Sequence, residues 1–419
     1  MSSKKKTIVT NEEGSATLVP KLRFPEFRDV KGWESQLVGP YLEDCSGRVP
    51  PDTELPVYSS TREGLKRQDA YFNGRVLQNN NEYGVVPPGC LVYRHMSDDG
   101  LFKFNINETG GDIAVSKEYP VFSTKALNPV FLLAKLNDGL DFKRFALSQK
   151  AGGTRTRLYF SRLCEWRTLL PSTAEQQRIA ECLSSVDDLM AVQARKVSAL
   201  KTHKKGLIQQ LFPREGETQP RLRFPEFQDA GEWVTEPLAQ LANYENGKAY
   251  EKDIADNGKY VVVNSRFIST DGAVRKYTNA DFLIAKTGEV LMVLSDLPKG
   301  KALAKCYFVE ADDRYAVNQR VCRLKPTRID GKFLYYILNR HPRLLAYDDG
   351  LNQTHLSKSG VTGCPLCVPV KKAEQQRIAS CLSSLDALIT AETQKLEVLK
   401  THKKGLMQQL FPSPEEVEA

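Results

Sequence analysis

The chain has 419 residues, a length that allows two or three domains. Hydrophobic residues make up 41% and charged residues 26%, which is typical of a globular protein. Its apolar runs stay well short of the roughly 20 residues that a membrane span requires. The basic start MSSKKK has no apolar segment behind it, which predicts a tail and excludes a signal peptide. The formal net charge of +8 permits a polyanionic partner without requiring one.

The first feature along the chain is a six-residue segment, LRFPEF, that occurs at 22–27 and again at 222–227. Two further blocks are also repeated, and each second copy follows its first by 199 or 200 residues. The chain is therefore two copies of one unit of about two hundred residues. The repeated blocks are PKLRFPEFRDVKGW (20–33) and PRLRFPEFQDAGEW (220–233), AEQQRIAECLSSVDDL (174–189) and AEQQRIASCLSSLDAL (373–388), and LKTHKKGLIQQLFP (200–213) and LKTHKKGLMQQLFP (399–412).

The repeat predicts the organisation of the domains. In chain order it gives a disordered tail (1–17), a first domain (18–170), a first long helix (171–213), the polar linker REGETQ (214–219), a second domain (220–368), a second long helix (369–412) and a short tail (413–419). The inserts 44–150 and 249–350 share almost no alignable sequence. This favours two equivalent frames, which include the repeated blocks and carry two inserts with different recognition functions. The alternative is duplication followed by sequence drift, in which one insert has no function.

Short strand-like runs alternate with turns inside the inserts, and each insert ends in a predicted helix, near Pro129–Leu136 and near Lys332–Leu338. Examples of these runs are GCLVYR (89–94), YVVVNSRF (260–267), DFLIAKTGEVLMVL (281–294) and YAVNQRVCRL (315–324). Loops AGGTRTRL (151–158) and DGLNQTHL (349–356) follow. Mixed α+β units with such loops suit the reading of a DNA groove, although the same residues are common on solvated surfaces.

The segment from Ser172 to Leu211 predicts a long helix, with Ser172 and Glu175 as a capping box. Apolar residues step by four and three in both copies, which is the pattern of a coiled-coil seam. The predicted seam residues are Ile179, Leu183, Val186, Met190, Val197, Leu200, Leu207 and Leu211, with Ile378, Leu382, Leu385, Ile389, Leu396, Leu399, Leu406 and Leu410. Each helix would be about 60 Å long.

Polar residues interrupt the seam at matching places, Gln193 and Lys204 in the first copy and Glu392 and Lys403 in the second. Parallel pairing would stack the two lysines, whereas antiparallel pairing places Lys204 beside Leu385 and Lys403 beside Val186. We therefore predict an antiparallel coiled coil with a pseudo-twofold axis; the alternative is that each helix packs only on its own domain. Gly206 and Gly405 indicate either close approach of another chain or a bend.

Nine cysteines, an odd number, are scattered along a chain without an export signal, which predicts reduced thiols and a cytoplasmic location. Cys364 and Cys367 have CxxC spacing, but a zinc knuckle needs a second pair, so small buried side chains are the better interpretation. The sequence contains no HExxH, Walker A or G-x-S-x-G motif. VPPG (86–89) does not match the N/D-P-P-Y/F element of adenine methyltransferases. We predict no catalytic residues and no metal.

Two variable units, each followed by an EQQRIA…KKGL.QQLFP helix, resemble the specificity subunit of Type I restriction–modification enzymes. The resemblance covers about residues 18–412, and VYSSTREGL (57–65) and VVNSRFISTDG (262–272) are similar to target-recognition domains of that family. It implies an α+β fold in which two target-recognition domains are joined by two long helices in an antiparallel coiled coil. Each domain would read one half of a bipartite DNA target, and the helices would fix the unread spacer.

The resemblance also implies partners and cofactors. Two methyltransferase subunits would bind S-adenosylmethionine and modify adenines, and restriction subunits would use ATP and Mg²⁺, so that this chain itself holds no cofactor. Helical lysines are candidate contacts for the methyltransferase, with a solvated charged face as the alternative: Lys201, Lys204, Lys205, Lys400, Lys403 and Lys404. Rival interpretations are a stand-alone two-domain DNA-binding regulator and a protein-binding scaffold without DNA contact.

Polar and basic clusters beside the strand-like runs supply the candidate DNA contacts. In the first insert they are Ser59, Thr61, Arg62, Arg94, Thr154, Arg155, Thr156 and Arg157. In the second insert they are Asn264, Arg266, Lys286, Thr287, Asn318, Gln319, Arg320, Gln353 and His355. The repeated aromatics, by contrast, are predicted to pin the start of each domain onto the frame or to pack in its core: Phe24, Phe27 and Trp33, with Phe224, Phe227 and Trp233.

Overall fold

The computed structural model describes residues 9–10, 16–71, 82–150, 154–297 and 300–412, so that 1–8, 11–15 and 413–419 of the predicted tails and 151–153 of the predicted loop lie outside the described residues. The chain divides into two compact units. The first unit comprises Met1–Ala194 with Gln394–Ala419, and the second unit comprises Arg195–Thr393. Each unit therefore combines one globular part with the beginning of one long helix and the end of the other.

The first unit is built mainly from antiparallel strands. They are β1 (Val9–Thr10), β2 (Ala16–Thr17), β3 (Glu34–Leu37), β4 (Leu42–Asp44), β5 (Gly47–Val49), β6 (Tyr58–Thr61), β7 (Gly64–Arg67), β8 (Tyr83–Val86), β9 (Leu91–Tyr93), β10 (Met96–Ser97), β11 (Phe104–Ile106), β12 (Ile113–Ser116), β13 (Val121–Thr124), β14 (Thr156–Arg157) and β15 (Arg167–Leu170). Its short helices are α1 (Gln68–Tyr71), α2 (Pro129–Asp138), α3 (Leu140–Ser148) and α4 (Phe160–Cys164), and the long helix α5 (Thr173–Leu211) follows them.

The second unit has a similar set of elements. Its strands are β16 (Val234–Pro237), β17 (Ala242–Asn246), β18 (Ile254–Ala255), β19 (Tyr260–Val263), β20 (Tyr277–Thr278), β21 (Ile284–Ala285), β22 (Val290–Val293), β23 (Ser295–Asp296), β24 (Cys306–Phe308), β25 (Tyr315–Val317), β26 (Val321–Pro326), β27 (Thr354–His355) and β28 (Pro365–Val368). Its helices are α6 (Leu238–Leu241), α7 (Ser265–Ser269), α8 (Gly331–Leu338), α9 (Pro342–Leu345), α10 (Lys358–Thr362) and the long α11 (Lys372–Leu410). Among the described residues, no helix combines the length and apolarity needed to cross a membrane.

Both globular parts fold on a common plan although the sequences of their inserts do not align. Each globular part contains a four-stranded sheet, in the order β11-β9-β13-β4 in the first unit and β24-β22-β26-β17 in the second. A helix follows each sheet, and an asparagine at the C-terminal end of the helix binds the edge strand. Asn137 Oδ1 accepts from the Phe104 amide at 2.9 Å, and Asn339 Oδ1 accepts from the Cys306 amide at 3.0 Å. The second sheets differ, with three strands (β12-β8-β5) in the first unit and five (β18-β20-β19-β25-β21) in the second.

The predicted strand-like run 260–267 is only partly a strand. The run 260–267 is extended as β19 up to Val263, and the helix α7 then begins. The reason is local: the Asn264 side chain accepts a hydrogen bond from the Phe267 amide at 2.9 Å, which caps the helix. An asparagine followed by a serine can therefore end a strand within an apolar, strand-like pattern.

A buried ion pair joins each LRFPEF phrase to the long helix of the repeat. In the first unit the Arg23 guanidinium donates to both oxygens of Glu175, at 2.8 and 2.7 Å, and Trp33 Nε1 donates to the same carboxylate at 3.2 Å. In the second unit Arg223 and Trp233 bind Glu374 in the same way, at 2.8, 2.8 and 3.1 Å. These contacts, together with the burial of both tryptophans, fix the start of each globular part on its helix.

The predicted capping box is therefore only half formed. The Ser172 hydroxyl accepts from the Glu175 amide at 3.3 Å, as expected for an N-cap. The Glu175 side chain, however, does not turn back to the helix start, because Arg23 offers it two charge-assisted hydrogen bonds in a buried site. Aromatic packing accompanies the pair, since the partly buried Phe24 packs against the core of the first unit.

The long helices pack antiparallel, which confirms that prediction. In the first unit Ile179 and Leu183, near the start of α5, share a core with Leu410 near the end of α11. In the second unit Leu211, at the end of α5, shares a core with Ile378 near the start of α11. All of the predicted seam residues are buried or half-buried.

Aspartates form ion pairs with the two lysines that interrupt the apolar seam. Lys403 Nζ lies 2.7 and 2.8 Å from the two oxygens of Asp187, and Lys204 pairs with Asp386. Each aspartate directly follows a predicted apolar neighbour, Val186 or Leu385. The predicted register therefore places each lysine correctly, but the ammonium forms an ion pair with the next residue. Glu392 is buried and binds Lys196 at 3.1 Å.

We expect Asp386→Asn to lower the stability of the second unit by about 1 kcal/mol, because it removes a partly exposed charge pair and weakens the 2.8 Å hydrogen bond from the Tyr336 hydroxyl. Thermal denaturation of the full chain measures the loss. Asp187→Asn is the matched control, since Asp187 receives no tyrosine hydrogen bond within the described part of the chain, and it should cost less. A larger loss from Asp187→Asn would contradict this account.

Candidate nucleic-acid interface

Three loops of the first unit meet beside the short strand pair β10–β14, where Ser97 faces Thr156 and Met96 faces Arg157. Two consecutive aspartates, Asp98 and Asp99, bind arginines from the other two loops. The Arg62 guanidinium lies 2.6 Å from Asp99, and Arg155 Nε lies 2.8 Å from Asp98. Hydrogen bonds from Arg62 and then Ser97 lower the pKa of Asp99 to about 2, so the carboxylate stays charged and keeps holding its arginine.

The arginines of this first face remain accessible although they are paired. The side chains of Arg62 and Arg155 are 65% and 52% exposed, and Arg94 and Arg157 are exposed as well. Four arginines and two aspartates leave the face with an excess of positive charge, and a surface of that kind attracts phosphate. We name the first reading face by these four arginines together with Asp98 and Asp99.

The remaining predicted residues of the first insert are less well placed. Thr154 is exposed, whereas Ser59 and Thr61 are half-buried and bond within their own hairpin, to Gln68 and Gly64. Thr156 is only 2% exposed, and this burial argues against a direct contact through its side chain. The prediction failed to separate it from its neighbours because side chains alternate between the two faces of a strand.

Sequence reasoning missed three residues of this region. Asp98 and Asp99 carry no motif, and only their contact with distant arginines reveals their role. His95 is 7% exposed, stacks on the Tyr159 ring with centroids 5.7 Å apart, and its Nδ1 has no hydrogen-bond partner among the described residues. A buried polar atom without a hydrogen-bond partner is uncommon. His95 directly follows Arg94 in the chain.

Four segments meet in a similar way in the second unit. β23 pairs with β27 so that Ser295 faces His355, and Gln353 Nε2 donates to Ser295 Oγ at 2.9 Å. The Leu294 amide donates to the Arg320 carbonyl at 2.9 Å, which brings the turn 318–320 beside these strands. Asn264 joins them, because Val263 and Val317 are partners in the parallel pair β19–β25, and Asn264 and Asn318 directly follow these two residues.

A cavity of about 330 Å³ opens at this place. Four of its lining residues were predicted from the sequence, namely Asn264, Arg266, Asn318 and Arg320. Glu251 and Lys276 also line it and were not predicted. We name the second reading face by these six residues together with Gln319, Gln353 and His355.

Lys286 and Thr287 lie elsewhere. Ala285 pairs with Tyr315 at the start of β25, whereas Asn318 follows the other end of the same strand. The Thr287 amide donates to Asp312 at 2.8 Å, on a turn of its own. The structure therefore does not bring these two residues together with the rest of the predicted set, because the run 281–294 is broken by a turn at Gly288, where φ is +87°.

The CxxC pair does not form a metal site with its surroundings. Cys364 is buried, which raises the pKa of its thiol to about 11, and its sulfur lies 3.6 Å from His341 Nδ1. Cys367 Sγ instead donates to the Glu217 carbonyl at 3.8 Å. Within the part of the chain that the structure describes, no group of three or more histidine, cysteine, aspartate or glutamate side chains could hold a metal ion.

A larger cavity of about 800 Å³ lies in the second unit, against the end of α5 and the linker. It is lined by Arg214, Glu215, Arg340 and Arg343 among others, and it contains none of the predicted DNA contacts. Gly206 also lines it, and a Cβ built on Gly206 would meet no atom within 4 Å. The same holds for Gly405, so neither glycine marks a close approach within the described residues.

The long helices also carry an exposed surface outside the seam. Lys201, Lys205, Lys400 and Lys404 are exposed. Lys204 and Lys403 are half-buried and engaged by the aspartates described above. Leu189 and Leu388, which are equivalent in the repeat, are 58% and 42% exposed. Two matching apolar positions on solvent-facing helix surfaces are a candidate contact for another protein.

Comparison with known proteins identifies related chains. A family model described as Type I restriction modification DNA specificity domain matches residues 230–401. The Type I restriction enzyme MjaVIII specificity subunit of Methanocaldococcus jannaschii is 24% identical over 413 residues, which covers 93% of this chain and 93% of the relative.

Solved structures share the fold. The crystal structure of the S subunit of a Type I restriction–modification system from M. genitalium matches with a TM-score of 0.60 at 14% identity, over 94% of this chain and 100% of that chain. A structure described as the structural basis underlying complex assembly and conformational transition of the type I R-M system matches with a TM-score of 0.51 at 15% identity, over 91% and 98% of the two chains.

Proposed function

We propose that the chain is a non-catalytic DNA specificity subunit of a Type I restriction–modification system, because it is similar to that family model over residues 230–401 and to the M. jannaschii subunit over 93% of its length. We propose further that its two units read the two halves of one bipartite, asymmetric DNA target. The observation that supports this most directly is the contrast between frame and inserts. The frame is nearly identical in both copies, down to the Arg–Glu–Trp contacts, whereas the two reading faces differ in composition, with arginines and aspartates on the first and mainly amide side chains and cations on the second. Two different faces on one frame suit two different half-sites.

The chemistry of the faces supports contact with DNA. Arginine pairs with guanine in the major groove, and asparagine or glutamine pairs with adenine. The first face offers four arginines, and the second offers arginine, lysine and amide side chains around the 330 Å³ cavity. Within the described residues, the side chains of Arg266, Lys276 and Arg320 form no ion pair, so they remain available to phosphate or base edges. Thr156, Lys286 and Thr287 are not part of this proposal.

In this proposal the catalytic activities belong to partner subunits. Two methyltransferase subunits would bind the equivalent helix surfaces around Leu189 and Leu388, with the exposed lysines Lys201 and Lys400 beside them. They would carry S-adenosylmethionine and methylate adenines, and restriction subunits with ATP and Mg²⁺ would join them. Adenine methylation requires a flipped base and a cofactor pocket, which this chain does not need if the methyltransferase provides both.

Methylome sequencing of cells that express the chain with its methyltransferase tests the proposal. The expected result is a bipartite motif with an unread spacer. A variant of each face then assigns the halves: Arg155→Ala should relax the first half-site only, and Arg320→Ala the second only, each by about 1–3 kcal/mol in binding if the arginine reads a base. If an arginine contacts phosphate instead, binding to all sequences weakens and the salt slope falls by about 1.

Arg328→Ala is the matched control for Arg320→Ala. Arg328 belongs to the same unit and is 61% exposed, but it pairs with Glu236 on the frame, away from the second face. It should leave the motif unchanged. Equal effects of Arg320→Ala and Arg328→Ala would contradict the assignment of the face. Tight, selective DNA binding by the chain without any methyltransferase would instead favour a stand-alone regulator.

A further inference from the structure

Glu251 holds two neighbouring amide side chains on the second reading face. Its Oε1 accepts a hydrogen bond from Asn318 Nδ2 at 3.2 Å and another from Gln319 Nε2 at 3.0 Å. An ionised carboxylate can only accept hydrogen bonds. The two NH₂ groups must therefore point at Glu251, and this contact decides the orientation of both amides, which the shape of an amide alone does not fix.

The carboxylate itself is firmly anchored. Hydrogen bonds from Asn318, from its own backbone amide, from Gln319 and from the Tyr250 amide hold the pKa of Glu251 below its usual value, so it is ionised at neutral pH. Glu251 is thus largely saturated by donors from the protein. A carboxylate occupied in this way can position the groups that it binds.

The orientation leaves one open acceptor on the face. Asn318 Oδ1 accepts from the Arg320 amide at 3.4 Å, so both ends of Asn318 are used within the protein. Gln319 is exposed, and no described residue donates to its Oε1. One N–H of the Gln319 NH₂ group is held by Glu251. This contact fixes the direction of the oxygen, whereas a free glutamine could turn its amide over and present the NH₂ group at the same place.

We propose that Glu251 sets the base preference of the second domain by holding Gln319 as an acceptor that recognises the exocyclic amino group of adenine or cytosine. In the major groove, adenine N6 and cytosine N4 are donors at the position where guanine O6 and thymine O4 are acceptors. A carbonyl oxygen held at that position therefore favours adenine and cytosine there and disfavours guanine and thymine. The neighbouring cations Arg266, Lys276 and Arg320 offset the repulsion between Glu251 and nearby phosphates.

This inference rests on the proposed function, and the experiment separates the two. The full chain is assembled with its methyltransferase subunits, and binding is measured on a library of duplexes with the second half-site randomised. The wild-type complex should prefer adenine or cytosine at one position by about fivefold or more. A wild-type complex that binds DNA without any sequence preference would contradict the proposed function itself.

Variants then test the positioning role. Glu251→Ala should abolish the preference at that one position, because Gln319 can then turn and donate to guanine or thymine. Gln319→Ala should remove the same preference, and the double variant should add nothing further. Glu251→Gln, which keeps an oxygen acceptor for one of the amides, should restore part of the preference. Glu236→Gln, on the frame of the same unit, is the control and should leave the profile unchanged.

Two outcomes would overturn the inference while leaving the proposed function intact. One is a selective complex whose base profile does not change in Glu251→Ala. The other is a Glu251→Ala variant that binds all four bases more weakly by the same factor, since a purely structural role would lower affinity without changing the preference. Additive effects of Glu251→Ala and Gln319→Ala would likewise show that the two residues act separately.

Discussion

Replacement of Glu175 by alanine is expected to lower the free energy of unfolding of the first unit by about 3–5 kcal/mol, because it leaves the guanidinium of Arg23 buried without its counter-charge. The side chains of Arg23 and Glu175 are only 4% and 1% exposed, so water cannot replace the lost partner. Trp33 Nε1 loses its acceptor as well. Denaturant unfolding of the full chain measures the loss, and hydrogen exchange locates it in the first unit.

The repeat provides matched controls for this experiment. Glu374→Ala should cause a similar loss in the second unit, where Glu374 is also buried against Arg223. Glu26→Gln breaks the pair with Arg178, whose two side chains are 48% and 52% exposed, and should cost less than about 1 kcal/mol. Replacing both members, as Arg23→Met with Glu175→Leu, should recover much of the stability, since no buried charge is left unpaired. Equal losses from Glu175→Ala and Glu26→Gln would contradict the argument from burial.

This ion pair also marks what the sequence could and could not predict. The seam was predictable because its residues recur at a fixed local spacing, and the positions of Ile179 and Leu410 follow from it. Arg23 and Glu175 are separated by 152 residues, and no local pattern links them. Only their recurrence in the second copy, as Arg223 and Glu374, gave a signal, and the prediction assigned that signal to the aromatics of the same phrase.

The reading faces show the same limit. Arg62 and Arg155 were predicted from composition, but Asp98 and Asp99, which hold them, have no distinctive neighbours in the sequence. Glu251 was missed for the same reason, since its partners are 67 and 68 residues away. Contacts of this kind depend on which loops the sheets bring together. The two inserts could not be aligned, so the sequence did not show which loops lie together. Both inserts nevertheless have an asparagine that binds the edge strand from the end of the following helix.

A seven-residue helical insertion after Gln193, combined with one after Glu392, is expected to lengthen the unread spacer of the target by about 3 base pairs. Seven residues extend a helix by about 10.5 Å, and one base pair of DNA occupies about 3.4 Å. The number seven preserves the apolar repeat of the seam. Gln193 and Glu392 are equivalent in the repeat and lie near the middle of α5 and α11, so insertion in both helices keeps their antiparallel partners in register.

Methylome sequencing of the variant with its methyltransferase gives the new spacer directly. The half-site sequences should not change, because the insertion touches neither reading face. The control is a seven-residue polar insertion in the linker 214–219, which lengthens the chain by the same amount without lengthening a helix. It should leave the spacer as it was. An unchanged spacer in the helix variant would mean that the helices do not set the distance between the half-sites, whereas a changed half-site would mean that the faces are not independent of the helices.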